Sequence, residues 1–328
     1  MATYKSTKGF TVQVLADDPT VEDAAGLLYF NTTDNEFKYV RPGGLSAGAW
    51  ASGGNLNTGR TLQSNGSGTQ TAGLVAGGEI GPGTAQTASE EYNGSSWTEG
   101  NDLAVGVIGN AGTGTQTAAL SISGINDSPP VGYVADTFHY NGTSWSEGGD
   151  TPGARQSGAA CGLQTATLWH GGAGPGSSNT ANVFQYNGTA WTEAGDLNTV
   201  RKNHAGTGTV TAALAIANSP VAGIVEAYNG TSWTEIADLN TARDSLAGVG
   251  TQTSSLVYGG NTPPNTANTE AWDGTSWTEL NNLATARRLI GGTGANNTSA
   301  MCIGGVGATA ATEEWTAPDV VIKVVADS

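Results

Sequence analysis

Six tryptophans constrain this chain more than any other feature. Trp50, Trp97, Trp145, Trp191, Trp233 and Trp277 recur at intervals of 47, 48, 46, 42 and 44 residues. Gly68, Gly114, Gly162, Gly208, Gly250 and Gly294 keep step at 46, 48, 46, 42 and 44. Two residue types that share one drifting period define a structural repeat. No unit shows the apolar period of a helix, which excludes helical solenoids.

Residues 233–277 show the unit most completely: W-T-E-I-A-D-L-N-T-A-R, D-S-L-A-G-V-G-T-Q-T, S-S-L-V-Y-G-G, a loop, then N-T-E-A-W-D-G-T-S-W. Asn-Gly or Asp-Gly between apolar flanks is a strong hairpin signal, because a type I′ turn needs positive φ at both central residues. It occurs at Asn93, Asn141, Asn187, Asn229 and Asp273, each between an aromatic residue and a Trp. These aromatic pairs are placed to seal one unit against the next. Further turns fall at Gln-Thr and after the diglycine, so each unit has four strands, the blade of a propeller. The Gly- and Ala-rich segment before Gly-Thr-Gln-Thr suits the crowded innermost position.

The pattern from Trp50 to the diglycine position occurs six times. The last unit ends at Trp315 without a hairpin, so its outer strand must come from around Gly48–Gly53. The expectation is an all-β, six-bladed propeller of four-stranded antiparallel blades, closed by its two terminal segments. Seven blades result if residues 28–50 supply two strands and Trp315 begins another blade. Residues 1–46 read as an N-terminal hairpin module, 47–317 as the propeller and 318–328 as a C-terminal strand. The strands at 9–15 and 319–325 are expected to meet in a small β appendage, for docking, oligomerisation or covering the closure.

The 328 residues carry a formal charge of −16, which argues against nucleic acid and anionic membranes as partners. No stretch approaches the length of a membrane-spanning segment, and MATYKSTKGF lacks the apolar core of an export signal. Cys161 and Cys302 lie three units apart, across a ring and beyond disulfide reach, and read as small buried hydrophobes.

The diglycines (Gly77-Gly78, Gly171-Gly172, Gly259-Gly260, Gly304-Gly305), followed by a Tyr and then a Trp, resemble the Kelch motif over residues 50–316; the second and fourth units depart from it. A second resemblance spans the whole chain. Residues 9–40, GFTVQVLADDP…GLLYFNTTDNEFKYV, look like the N-terminal module of structural proteins of marine tailed phages. There it precedes Kelch-like repeats of the type seen at Leu239–Arg243 and Gly206–Leu214. The resemblance implies a non-enzymatic virion protein: a tail fibre or appendage, or a capsid decoration. Its implied partners are other virion proteins, the chain itself through its terminal strands, or a host surface glycan. A secreted or cell-surface, lectin-like propeller is the alternative, and a glycan-active enzyme a weaker one.

The residues themselves yield no catalytic set and no cofactor. His139, His170 and His204 fall at three different repeat positions, with no metal-ligand spacing. Asp273-Gly274-Thr275-Ser276-Trp277 is faintly like a sialidase Asp-box, which is itself a structural turn. Arg60, Arg155, Arg201, Arg243 and Arg287 recur at one position, where Val107 stands in the second unit. They could ring an anion, but a structural role is favoured: pairing with Glu99, Glu147, Glu193, Glu235 and Glu279 beside the blade tryptophans Trp97, Trp145, Trp191, Trp233 and Trp277. The four Asn-Gly-Ser/Thr triplets are explained by the turn rather than by sugar attachment. The connections after the diglycine (79–88, 124–134, 173–180, 217–223, 261–267 and 306–311) vary while the strands do not. Loops on a rigid scaffold are where binding residues concentrate. The candidate ligand contacts are therefore Asn126, Asp127, Tyr133, Pro175, Asn179, Pro263 and Asn265.

Overall fold

The computed structural model describes residues 13–15, 28–33, 35–40, 48–63, 65–127, 132–317 and 322–324. The chain divides into two compact units, residues 49–316 and residues 1–48 with 317–328.

The smaller unit holds one sheet of β1 (Gln13–Leu15), β2 (Leu28–Asn31), β3 (Glu36–Val40) and β28 (Ile322–Val324), in that order. β1 runs parallel to β2, and β28 pairs antiparallel with β3. The terminal strands thus share a sheet without touching. The β2–β3 hairpin occupies its middle and leaves β1 and β28 the two edges. Residues 9–12, 319–321 and 325 of the anticipated strands lie outside the described residues.

Residues 49–316 form six four-stranded antiparallel blades. β4 (Ala49–Ser52) belongs to the last of them. The first blade is β5 (Ser67–Thr69), β6 (Ala72–Ala76), β7 (Ser89–Tyr92) and β8 (Trp97–Glu99). The second is β9 (Ala111–Thr115), β10 (Ala118–Asn126), β11 (Gly132–Tyr140) and β12 (Trp145–Glu147). The third is β13 (Ala159–Leu163), β14 (Ala166–His170), β15 (Val183–Tyr186) and β16 (Trp191–Glu193). The fourth is β17 (Ala205–Thr209), β18 (Ala212–Asn218), β19 (Ala222–Tyr228) and β20 (Trp233–Glu235). The fifth is β21 (Ala247–Thr251), β22 (Ser254–Tyr258), β23 (Thr269–Trp272) and β24 (Trp277–Leu280). The sixth is β25 (Gly291–Asn296), β26 (Ser299–Ile303), β27 (Thr312–Thr316) and, as its outer strand, β4. Trp50 stands opposite Trp315 in the register of that closure.

The Gly- and Ala-rich strands β5, β9, β13, β17, β21 and β25 are innermost, each lying against the next around the ring. The repeated Gly has φ between +95° and +158° in all six. A Cβ there would come within 2.1–2.5 Å of a carbonyl oxygen on the second strand of the same blade. No side chain fits, which is why the marker never varies.

The outer-strand tryptophans seal the blades. The Trp97 indole donates to Thr312 in the sixth blade at 3.2 Å, and Trp191 to Thr137 in the second at 3.0 Å. Trp233 and Trp277 reach the Gly195 and Ala237 carbonyls of the preceding blades at 2.9 and 3.0 Å. Buried indoles need such acceptors. In the hairpin turns the Asn or Asp side chain accepts the two following backbone N–H groups. Asn229 takes them from Thr231 and Ser232 at 3.0 and 2.9 Å, Asp273 from Thr275 and Ser276 at 2.8 Å each.

Two further seals were not legible as such. The Gln of Gly-Thr-Gln-Thr reaches back across the seam. Gln116 donates to the carbonyls of Gly73 and Tyr92, Gln164 to Ala119 and Tyr140, and Gln252 to Ala213 and Tyr228. Beside it, the residue before the aromatic of each third strand answers to the next blade. Glu314, Glu91, His139 and Gln185 meet the hydroxyls of Tyr92, Tyr140, Tyr186 and Tyr228. Where the next blade has Trp272 or Trp315, with no hydroxyl, the residue is Ala227 or Ala271.

Candidate functional site

In an antiparallel four-stranded blade, the second-to-third-strand loops and the inter-blade connections share one face of the ring. The recurrent arginines lie just beneath it. Arg60, Arg201 and Arg243 are fully buried, and Arg155 and Arg287 nearly so. None is available as an anion-binding ring. Their partners also differ from those expected. Arg60 pairs with Glu90, Arg201 with Glu226, Arg243 with Glu270 at 3.0 Å and Arg287 with Glu313 at 2.6 Å. Each of these glutamates lies on the third strand, two residues before its aromatic. Glu99, Glu147, Glu193, Glu235 and Glu279 stay exposed on the outer strand. The reason is depth: the guanidinium also binds the carbonyl that ends the second strand, as Arg60 does at Gly77 and Arg287 at Gly304. That puts it one strand further in than the outer glutamate.

The two exceptions keep the same logic. Where Val107 replaces Arg, Phe138 replaces Glu, and the pair packs as apolar core. Where Arg155 meets Phe184, the guanidinium lies 4.0 Å from the Trp169 ring and 4.8 Å from Phe184. Burial pulls Arg155 down to about 10.

His170 and His204, far apart in the repeat, are brought together. His170 ends β14 and His204 precedes β17. Their rings share a 2.9 Å Nδ1–Nε2 hydrogen bond with both side chains fully buried. Glycines make the room: a Cβ at Gly206 would lie 2.8 Å from His170 Nε2, and one at Gly171 2.5 Å from His204 Cε1. Burial, with Arg201 and Arg155 nearby, depresses His170 to about 3 and His204 well below the usual range. The pair is a neutral core element. His139 stands apart, bonded to Tyr186 at 2.7 Å. Cys161 and Cys302 are buried free thiols, pushed up to about 12 by desolvation. Among the described residues one carboxylate trio, Asp136, Glu147 and Asp150, lies within 4.8 Å of one another, and burial with the two neighbouring charges raises Asp136.

The variable connections are shorter and more tied down than the sequence suggests. β10 and β11 extend to Asn126 and Gly132, so Asn126 and Tyr133 are strand residues, Tyr133 opposite Ile125. Likewise β18 and β19 absorb much of 217–223. Residues 128–131 lie outside the described residues. Asp127 accepts the Ala85 N–H of the neighbouring loop at 2.9 Å, and Asn179 donates to the Ser219 carbonyl at 2.7 Å. Asn265 bridges to Asn261. Pro175 and Pro263 are exposed. These seven positions are spread over three blades.

Nearer the axis the same face has a second constellation, which the sequence reading did not find. One residue per blade, just after the arginine position, adopts a left-handed conformation: Gln63, Gly109, Ser157, Asn203, Ser245 and Leu289, at φ from +48° to +68°. Backbone hydrogen bonds run from five of the six to the previous one. Ser157 donates to Gly109 at 2.8 Å, Asn203 to Ser157 at 2.9 Å, Ser245 to Asn203 at 2.7 Å, Leu289 to Ser245 at 2.9 Å and Gln63 to Leu289 at 3.3 Å. The Ser157 hydroxyl donates to Gln63 Oε1 at 2.8 Å, past Gly109. Below this belt, the inner strands enclose a channel of about 130 Å³ lined by Gly, Ala, Ser, Thr, Cys161 and Val249.

No protein-family model and no curated protein sequence matches the chain. Its fold matches solved structures, among them YjhT, with a TM-score of 0.65 at 14% identity, over 83% of this chain and 99% of that one. At that identity the likeness concerns the fold alone.

Proposed function

We propose that this protein is a non-enzymatic virion component of a tailed phage, a tail fibre, appendage or capsid decoration. It displays its propeller outward, and the face of the inter-blade connections binds a host surface glycan or another virion protein. One observation carries the non-enzymatic part: the recurrent arginines, the paired histidines and both thiols are spent on the scaffold. Four recurrent arginines are sealed onto glutamates, the fifth is stacked on aromatic rings, two histidines are neutral core and both thiols are buried. An active site needs such groups perturbed but reachable. The virion placement is supported by the resemblance of the Kelch-like repeats and of residues 9–40 to phage structural proteins. The terminal strands are its candidate contact with other virion proteins or a second copy.

Antibody labelling of intact virions, read by electron microscopy, tests the placement. Label at the tail tip or capsid surface is expected; its absence from purified particles overturns the reading. Purified protein that blocks adsorption identifies a host-binding role. Unchanged adsorption with label on the shell identifies decoration.

A further inference from the structure

We propose that the axial mouth of the connection face, built on the left-handed belt, binds a single acidic sugar residue. This rests on the reading of the propeller as a binding module.

The first argument is a contrast between two rings of positive-φ backbone. On the inner strands the chain uses Gly in all six blades, because a Cβ would strike a carbonyl. At the belt Gly would also suit the conformation, and this chain has 50 of them. Yet five of the six positions bear side chains, and those differ: Gln63, Ser157, Asn203, Ser245 and Leu289. Left-handed backbone in non-glycine residues is a cost that persists where the side chain has a use. Gln63 and Asn203 supply carboxamides of the kind that bind sugar hydroxyls, while the buried Ser157 and Ser245 hydroxyls hold Gln63 and Asp244 in place.

The second argument is charge. Residues 49–316 contain seven cations, Arg60, Arg155, Arg201, Lys202, Arg243, Arg287 and Arg288. Five are the buried arginines. The other two immediately precede belt residues Asn203 and Leu289 and are half-buried. Neither forms an ion pair among the described residues, and Arg288 Nε is buried without a hydrogen-bond partner. Asp244, between them in the ring, is buried and accepts the Ser245 hydroxyl at 2.9 Å. On a surface of net charge −16 these two cations are poorly explained by solubility. They are placed to hold one anionic group at a polar rim.

The blades also divide the mouth. Gln63 spans the first three through Ser157, while the fourth to sixth contribute Lys202 with Asn203, Asp244 with Ser245, and Arg288 with Leu289. A ligand is therefore expected off axis, over that half.

The test titrates the full chain with glucuronate, galacturonate and N-acetylneuraminate, and with glucose and galactose, by ligand-observed NMR and calorimetry. Inorganic phosphate and sulfate serve as bare anions. At least one acidic sugar should bind saturably, about tenfold tighter than its neutral counterpart and than either bare anion. Asn203→Gly suits the backbone and should keep the melting temperature while weakening binding. Lys202→Gln with Arg288→Gln should weaken it about tenfold, and Glu235→Gln on an exposed outer strand should not change it. No binding of any acidic sugar up to about 10 mM overturns the inference, as does binding lost with Glu235→Gln but kept in the belt variants. Binding of phosphate as tight as the best sugar reduces the site to an anion trap and also overturns it. Turnover of a sugar would overturn the non-enzymatic reading instead, and virion labelling is independent of both.

Discussion

The six blades agree in some places and differ in others, and the two kinds of place have different physics. At the inner-strand glycine, geometry leaves no choice, since any Cβ meets a carbonyl. At the axial belt, the same sign of φ is held along a run of five backbone hydrogen bonds, and the side chain is free to vary. Agreement here marks a steric or electrostatic necessity repeated six times. Difference marks positions where the fold makes no demand and another requirement can act.

The contrast can be broken in order of cost. The largest effect is expected at a buried ion pair. Arg243→Val leaves Glu270 charged in the core and should cost about 3–5 kcal/mol in chemical denaturation. Adding Glu270→Phe copies the second blade's Val107 and Phe138 and should recover most of that loss. A double variant no better than the single would show that the second blade depends on other local adjustments. Next comes Gly208→Ala, whose Cβ would sit 2.2 Å from the Ala212 carbonyl oxygen at φ +104°. A loss of about 3 kcal/mol is expected. A loss comparable to that of Asn203→Gly at the belt, a few tenths of a kcal/mol, would erase the distinction between the two rings.

The histidine pair sharpens the same point through pH. Both folded-state values lie below the ordinary 6.5, so the unfolded chain binds protons that the folded one refuses. The contribution is complete above about pH 6.5 and is lost as pH falls. At pH 5 it amounts to a loss of about 2 kcal/mol for His170, with His204 acting in the same direction. Thermal unfolding of the native chain between pH 7.5 and 5 should show this drop. His170→Gln with His204→Gln should flatten it, and an unchanged slope would assign the acid sensitivity elsewhere. A smaller loss is expected at a seam: Gln252→Ala removes two inter-blade hydrogen bonds and should cost about 1–2 kcal/mol. The fourth blade already has Val210 in place of that Gln, so Val210→Gln should give a modest gain in melting temperature.

The scaffold was legible because its signals are local and repeated. Trp spacing, Asn-Gly turns and the borrowed outer strand each fix structure within a few residues, and β4 lies where the incomplete last unit required it. The arginines were legible as structural, but not their partners. Strand periodicity makes Glu90 and Glu99 equally plausible, and only depth in the blade separates them. The meeting of His170 and His204 was hidden because it joins different repeat positions in successive blades. The belt was hidden because left-handed Gln, Ser, Asn and Leu have no sequence signature. The candidate site therefore shifts from the outer loops toward the axis for reasons that only three-dimensional neighbours supply.

The pairing of Trp50 with Trp315 has a temporal meaning. A ribosome releases β4 long before β27 exists, and no intermediate length of chain can complete the sixth blade. Bringing such distant ends together costs loop entropy that grows only slowly with length, on the order of 5 kcal/mol by the logarithmic rule. The ring repays this in one step, when its last strand arrives. Until then the open edges of β26 and β4 are the surfaces most exposed to mispairing with a second chain. Synthesis speed and crowding, more than blade stability, would then set the yield of closed rings.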